Sequence, residues 1–312
     1  MQFKTLAMLT TLMAAPVLAQ PVYVDMGADY GGNSNYVGST NATGWFTEMQ
    51  FAYNSYSRVK DSNNDGLLTA GDQVYSTGGI LGSSPAGAFD FNTNFNDNFI
   101  SALLPSQIGP DVDNDGPSSN GYNIGGWQLA IGFNDLRGTV VNNNMIDWQS
   151  GTVSFFVTNN KNACKVANDI SCMVRLFDMT VTSGGDIGNG SIVNGYLDNF
   201  NTTDLVNGKV AGSLFGTSFG GTNQSFLDIH NNLVNTGKKV NFGMKVDQNT
   251  QSLPNLHSYD PVSKEFVFQK ATHSGRVSVD VAKAVPEPAS LALLGLGLMG
   301  LVSARRKQNA ML

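Results

Sequence analysis

Charge is scarce here: Asp, Glu, Lys and Arg make up 13% of 312 residues, against roughly 25% in an average soluble domain. Two cysteines, three histidines and three tryptophans are the other shortages. Each one excludes something. Because 41% of the chain is hydrophobic, low charge does not mean disorder, and a core can be buried. Basic residues are outnumbered 18 to 24 and form no stripe, so a nucleic acid finds no surface to hold its phosphates. Two cysteines without neighbouring histidines do not complete a four-ligand zinc site. His230, His257 and His273 are scattered, and there is no G-x-S-x-G, H-E-x-x-H or P-loop run, so no catalytic motif is legible. A glycosidase would need only two carboxylates about 5 to 10 Å apart, an arrangement that leaves no local trace.

Glycine, by contrast, is abundant at 35 residues, and asparagine is frequent. Both tolerate left-handed turns, which suits many short strands joined tightly. Apolar alternation marks strand faces at Trp127, Leu129, Ile131 and Phe133, at Val153, Phe155 and Val157, at Val240, Phe242, Met244 and Val246, and at Val277, Val279 and Val281. Turns are expected at Asn142-Asn143-Asn144, Asn159-Asn160, Gly184-Gly185 and Gly220-Gly221. Phe226 to Val234 predicts a short helix, capped by Asn223 or Ser225, with Ile229 and Leu233 inward and Leu227 at the edge. The run FNTNFNDNF, residues 91–99, would place its asparagines on one face as an edge strand, or forms a turn-rich loop. The predicted fold class is all-β: one antiparallel β-sandwich or jelly-roll-like domain over residues 20–284, with one short helix.

Both ends carry export features. Residues 1–19 combine Lys4, an apolar core from Leu6 to Ala15 and the small-residue rule at Val17-Leu18-Ala19, the pattern of a signal peptide cut before Gln20. Near the other end, Ala289 to Ala304 is an apolar run of sixteen residues. As a helix it covers roughly 24 Å, a short membrane span. Arg305, Arg306 and Lys307 follow and hold that end in the cytoplasm, leaving 308–312 as a cytoplasmic tail. Removing 1–19 and 289–312 takes four basic residues and no acidic ones, so 14 basic face 24 acidic side chains and the net charge becomes −10. Such a surface suits divalent cations. In an exported chain, Cys164 and Cys172 are expected to form one local disulfide, the alternative being two reduced thiols in the core.

Val285-Pro286-Glu287-Pro288, the apolar run and the basic end together resemble the PEP-CTERM sorting signal of Gram-negative bacteria, over residues 285–307. The resemblance implies that a membrane-embedded exosortase recognises Pro286, Glu287 and Pro288 and cuts near them, so that the membrane contact is transient. Release and re-anchoring at the surface both remain open, as does a permanent anchor. Two prolines around a glutamate keep the peptide extended and accessible. Chains of this kind come from bacteria that make exopolysaccharide, which implies a biofilm or floc context. Gly126 to Gly138 also faintly resembles the middle of flocculation-associated PEP-CTERM proteins, without transferable site residues.

The sharpest internal motif is DSNNDGLLTAGD, Asp61 to Asp72, which follows the twelve-residue calcium loop. Asp61, Asn63 and Asp65 would be ligands, Leu67 would give its carbonyl, Thr69 would act through water, and Gly66 supplies the turn. Asp72 stands where that loop has a bidentate Glu, and the flanks are strand-like. The competing reading is a polar Asx-turn hairpin. DVDNDG places three more carboxylates at Asp111, Asp113 and Asp115, but Pro117 and Tyr122 break the pattern. Trp45, Trp127, Trp148, Tyr53 and Tyr56 would form a sugar platform if they shared an exposed face. The function these observations favour is an exported, non-catalytic surface or matrix protein, stabilised by calcium and associated with exopolysaccharide. The alternatives are a secreted polysaccharide-acting hydrolase and a carbohydrate-binding module.

Overall fold

The computed structural model describes residues 21–30, 41–46, 48–83, 104–105, 127–142, 145–158, 170–186, 190–247 and 255–278. These fall in the unit Met1–Asp280, while the second unit, Val281–Leu312, lies outside them. The expected signal peptide, the Asn-rich run 91–99, the acidic cluster 111–116, Cys164 and the sorting signal also lie outside the described residues.

The described strands are β1 (Val22–Val24), β2 (Glu48–Lys60), β3 (Gln73–Gly79), β4 (Leu104–Pro105), β5 (Gln128–Asn142), β6 (Met145–Thr158), β7 (Val174–Asp186), β8 (Gly190–Asp198), β9 (Leu205–Val206), β10 (Lys209–Val210), β11 (Phe215–Phe219), β12 (Thr222–Ser225), β13 (Val240–Asp247), β14 (Asn255–Asp260) and β15 (Glu265–Ser278). One α-helix is described, α1 (Phe226–Val234). The described residues are mostly antiparallel β, as expected.

The large sheet runs β2-β3-β5-β6-β7-β8-β13-β15 as an antiparallel meander. It then closes: β15 pairs with β13 from Gly243↔Ser278 to Asp247↔Ser274, and with β2 from Glu265↔Lys60 to Ser278↔Glu48. A closed ring of eight strands replaces the expected sandwich or jelly roll. The physical reason is strand length together with bulges. Strands of up to fifteen residues break register at Gly132/Arg137 and at Val181/Ser183, and such bulges increase curl until the edges meet. Closure leaves no open edge in the ring.

An eight-stranded barrel has room for side chains and little more. Ile131, Phe155, Phe177, Met179, Leu197, Val240 and Phe242 fill it, each buried. Phe155 meets Phe177 at 5.1 Å and Phe242 at 5.3 Å between ring centroids. The inward faces read from alternation at Trp127–Phe133, Val153–Val157 and Val240–Met244 are buried as expected. Val277 lies in β15, whereas Val279 and Val281 are outside the described residues.

Two expected turns come out differently. Gly220-Gly221 does form a tight hairpin, with φ of 61° and 83° between Phe219 and its partner Thr222. Gly184-Gly185 is no turn but lies inside β7. A Cβ at Gly184 would strike the Ile192 carbonyl and the Trp148 side chain, so glycine serves there as a place of close strand approach.

One end of the barrel is capped. β1, β11 and β12 form a small antiparallel sheet, and α1 follows β12. Ser225 caps the helix by accepting from the Asp228 amide at 3.1 Å, which settles the choice between Asn223 and Ser225. Phe226, Ile229 and Leu233 are its buried stripe. The helix stops where Gly237 turns left-handed, with φ of 70°, and the Lys238 amide returns to the Leu233 carbonyl at 3.3 Å. Phe215 and Phe226 reach Phe177 at 5.4 and 6.3 Å, joining cap and barrel in one aromatic core.

Candidate functional site

In a meander, alternate connections fall at opposite ends, so the β2–β3 connection Asp61–Asp72 lies at the end away from the cap. Its flanks are strands, as the sequence suggested. The loop reverses direction through Asn64 at φ 61°, Gly66 at φ 72° and Gly71 at φ 100°, conformations in which asparagine and glycine cost least.

Its first and last aspartates are both buried, at 1% exposure. Asp72 accepts the Ser62 amide at 2.9 Å and the Thr69 amide at 2.8 Å. Asp61 accepts the Asp65 amide at 3.3 Å and the Gly66 amide at 2.9 Å. The middle residues bond among themselves near the surface: the Asn63 amide group donates to Asp65 Oδ2 and to Thr69 Oγ1, both at 2.9 Å, and Asp65 Oδ1 accepts the Leu67 amide at 2.8 Å. The structure therefore brings Asp61, Asn63, Asp65, Thr69 and Asp72 into one hydrogen-bonded loop. Leu67 is 62% exposed. Among the described residues, no three His, Cys, Asp or Glu side chains converge as metal ligands. In this arrangement backbone N–H groups compensate the buried carboxylates.

Two partners come from far along the chain. The Tyr259 hydroxyl donates to Asp61 Oδ2 at 3.0 Å, and Lys264 Nζ to Asn64 Oδ1 at 2.6 Å. The Asp61 amide donates to the Lys264 carbonyl at 2.9 Å. Sequence reading missed both, because about two hundred residues separate the partners and no local pattern signals such a pairing. Burial pushes the Asp61 carboxyl up, but the Gly66 amide, the Tyr259 hydroxyl and the Asn64 and Asp65 amides together hold it below the ordinary aspartate value. Burial first, then its bond to Asp61, pushes the Tyr259 hydroxyl up.

A second polar constellation lies on the outer face of the wall. Asp178 and Asp198 are register partners across β7 and β8. Asp178 is buried and accepts from Ser154 at 2.8 Å, Arg175 at 2.6 Å and Asn199 at 3.1 Å. Asp198 accepts from Thr180 at 2.7 Å, and its other oxygen is buried with no hydrogen-bond partner among the described residues. His230 of α1 stands near it, its ring 5.0 Å from Phe200. Burial lowers its pKa, Asp198 raises it and Lys239 lowers it, and the balance is below the ordinary value.

The aromatic platform is overturned for four of its five members. Trp127, Trp148, Tyr53 and Tyr56 are buried, with the Trp148 indole donating to Ser191 at 2.9 Å. Trp45 is half-buried against Tyr23 at 5.1 Å. Barrel closure turned these rings inward or under neighbours, where alternation alone could not tell one face from the other. His257 and His273 lie in β14 and β15. Cys172 sits beside the small outer cluster of Ile80, Ala130 and Phe156, and no described cysteine is a free thiol. Asp111, Asp113, Asp115, Cys164, Pro286, Glu287, Pro288, Arg305, Arg306 and Lys307 lie outside the described residues.

Comparison with protein families finds the PEP-CTERM protein-sorting motif at residues 284–307. Neither the curated proteins nor the solved structures contain a match to the chain. The motif implies an exported, cell-surface-targeted protein with exosortase as its processing partner.

Proposed function

We infer that this chain is a non-catalytic surface or extracellular-matrix protein of a Gram-negative bacterium, retained with exopolysaccharide in a biofilm or floc. The observation that carries the reading is the sorting motif at residues 284–307. In this reading the run 289–304 holds the chain in the cytoplasmic membrane until exosortase cuts near Pro286, Glu287 and Pro288. Cys164 and Cys172 then form the disulfide of an exported domain. No described helix is long and apolar enough to cross a membrane, and the run itself lies outside the described residues. A ring of eight strands whose own edges are paired suits a protein kept outside the cell at high local concentration, because it limits edge-to-edge aggregation. Mass spectrometry of both ends of the protein, from cells and from culture fluid, tests the reading. Loss of everything after the Pro-Glu-Pro segment is expected, and an intact carboxyl end in a soluble cytoplasmic pool overturns it. Deleting the gene should reduce flocculation and polymer retention, and unchanged values remove the matrix role.

Calcium at Asp61–Asp72 belongs to the same proposal. Asp61, Asn63, Asp65 and Asp72 would hold the ion, with the Leu67 carbonyl and with Thr69 through water, using carboxylate lone pairs that the amide bonds leave over. A chelator should then lower Tm through mass action on the folded state, and an unchanged Tm leaves the loop as a hydrogen-bonded hairpin. The hydrolase alternative has one specific foothold, the Asp178/Asp198 pair. Turnover of a complex glycan that disappears with Asp198→Asn would favour it over a matrix role.

A further inference from the structure

The outer wall of the barrel gathers cations that lie far apart in the chain. On β2, β3 and β5 the faces alternate: Val59, Val74 and Leu136 are buried, while their neighbours Arg58, Tyr75 and Arg137 face outward. Register makes these three one row, since Arg58 stands opposite Tyr75 and Tyr75 opposite Arg137. With neighbouring strands about 4.8 Å apart, the two arginines flank the tyrosine at a Cα separation of roughly 10 Å. Lys60, two residues from Arg58 on the same face, is exposed as well.

The arginines are held without being used up. Arg137 Cζ lies 5.2 Å from the centre of the Tyr75 ring, a cation–π contact that orients the guanidinium and spends none of its N–H donors. Arg137 makes no ion pair among the described residues. Arg58 approaches Glu265 at 3.6 Å, too long for a hydrogen bond, with 49% of its side chain exposed. Elsewhere cations are closely paired, Arg175 with Asp178 and Lys209 with Asp25, each at 2.6 Å. The row is therefore a place where fixed positive groups stay open to a ligand. Three cations do not make the long stripe that a nucleic-acid backbone needs. Two guanidinium forks do suit a carboxylate, which arginine binds in plane through paired donors. Uncharged groups continue the face, with Gln73 exposed beside its register partner Lys60 and Ser150 exposed beside Arg137. Their amide and hydroxyl can bond the hydroxyls of a sugar.

We propose that this row binds the carboxylate-bearing sugar units of an acidic exopolysaccharide: Arg58 and Arg137 share the carboxylate, Tyr75 positions Arg137, and Lys60, Gln73 and Ser150 meet the neighbouring units. The inference rests on the exopolysaccharide reading above and names the class of polymer. The chemistry disfavours a protein partner, because protein interfaces centre on apolar anchors, and none of the exposed large hydrophobic residues, Leu67, Val141, Leu205, Val234 and Val262, lies in the row. The chain's net negative charge repels a polyanion, but salt screens exposed charges beyond about 10 Å. The groups in contact then decide.

The test measures binding of the protein, purified from its own cells, to alginate, to carboxyl-reduced alginate and to dextran, with a chelator present so that no metal ion bridges acidic groups. Wild type should bind alginate, and the two neutral polymers at least about tenfold more weakly. Arg58→Gln and Arg137→Gln should each lower alginate affinity about tenfold. Tyr75→Phe should keep the affinity and Tyr75→Leu should weaken it, because an aromatic ring is what holds Arg137. Lys238→Gln removes an exposed cation elsewhere and should change nothing, and every variant should keep the wild-type circular dichroism. The proposal is overturned by absence of wild-type binding, by binding that survives Arg58→Gln with Arg137→Gln, or by an equal loss with Lys238→Gln. It is overturned too if the double variant abolishes self-association of a protein that binds no alginate, which gives the row to a second copy. Returning the genes to the deletion strain separates the two readings. Polymer retention restored equally by wild type and double variant leaves the matrix role standing and removes this site, whereas retention unchanged by the deletion removes the matrix role and leaves the row to be judged on alginate binding alone.

Discussion

At the cap end Phe177 meets four other phenylalanines, Phe155, Phe200, Phe215 and Phe226. At the loop end two buried aspartates meet four backbone amides. The barrel is thus covered by apolar area at one mouth, while the loop at its other end is held by hydrogen bonds. Apolar sealing is non-directional and scales with area, so it tolerates small displacements. Hydrogen bonding is directional, and a donor or acceptor left behind after a substitution carries its full desolvation cost. The cap end should therefore fail globally and the loop end locally.

The largest expected effect is at Phe177. Truncation to alanine removes a fully buried ring at the junction of barrel and cap, and should cost about 3 to 5 kcal/mol. The measurement is a denaturant unfolding curve followed by two probes, tryptophan fluorescence and far-UV circular dichroism. Coincident transitions would support one cooperative core, and a cap signal lost ahead of the barrel signal would break the comparison at its apolar end.

Asp72→Ala should cost less, about 1 to 3 kcal/mol, because the Ser62 and Thr69 amides lose their acceptor. The effect should also be confined: exchange at Ser62 and Thr69 rises, while the cap amides of Asp25 and Met26 keep their protection. Equal acceleration at both ends would show that the loop is not an independent unit.

How much of this was legible follows from the range of each interaction. The helix from Phe226 to Val234, the Ser225 cap and the inward faces of β5, β6 and β13 depend on residues within a few positions of one another, and their patterns stand in the sequence. Closure depends on β15 finding β2 across some two hundred residues, and alternation in either strand is the same for an open sheet as for a ring. That is why a sandwich was expected. The glycines Gly184 and Gly185 misled for a related reason, since a turn and a close strand approach both need the missing Cβ. At the loop, spacing located the carboxylates and the turn glycine. It could not reveal Tyr259 or Lys264, nor which amides of the loop bond to Asp61 and Asp72.

The two ends should also differ in their response to acid, and this is the finest test of the contrast. Burial, opposed by Asp198 and aided by Lys239, lowers the His230 pKa below its ordinary value of 6.5. In the unfolded chain the imidazole takes its proton near that ordinary value, while in the folded chain it does so only at lower pH. Between those two values the unfolded state binds more protons, so stability falls as pH drops through about 6.5 and levels off below the folded value. Asp61 behaves differently, because its pKa is lowered from an ordinary 3.8. Its contribution is present above that value and is lost only as pH falls through the still lower folded one. Of these two groups, denaturant midpoints at about pH 7.5 and pH 5.5 therefore report on His230 and not on Asp61. His230→Gln should reduce the difference between those midpoints, and Tyr259→Phe, which removes the hydroxyl bonded to Asp61, should leave it unchanged. If His230→Gln kept the wild-type difference, the titrating group would lie elsewhere and acid would no longer distinguish the two ends.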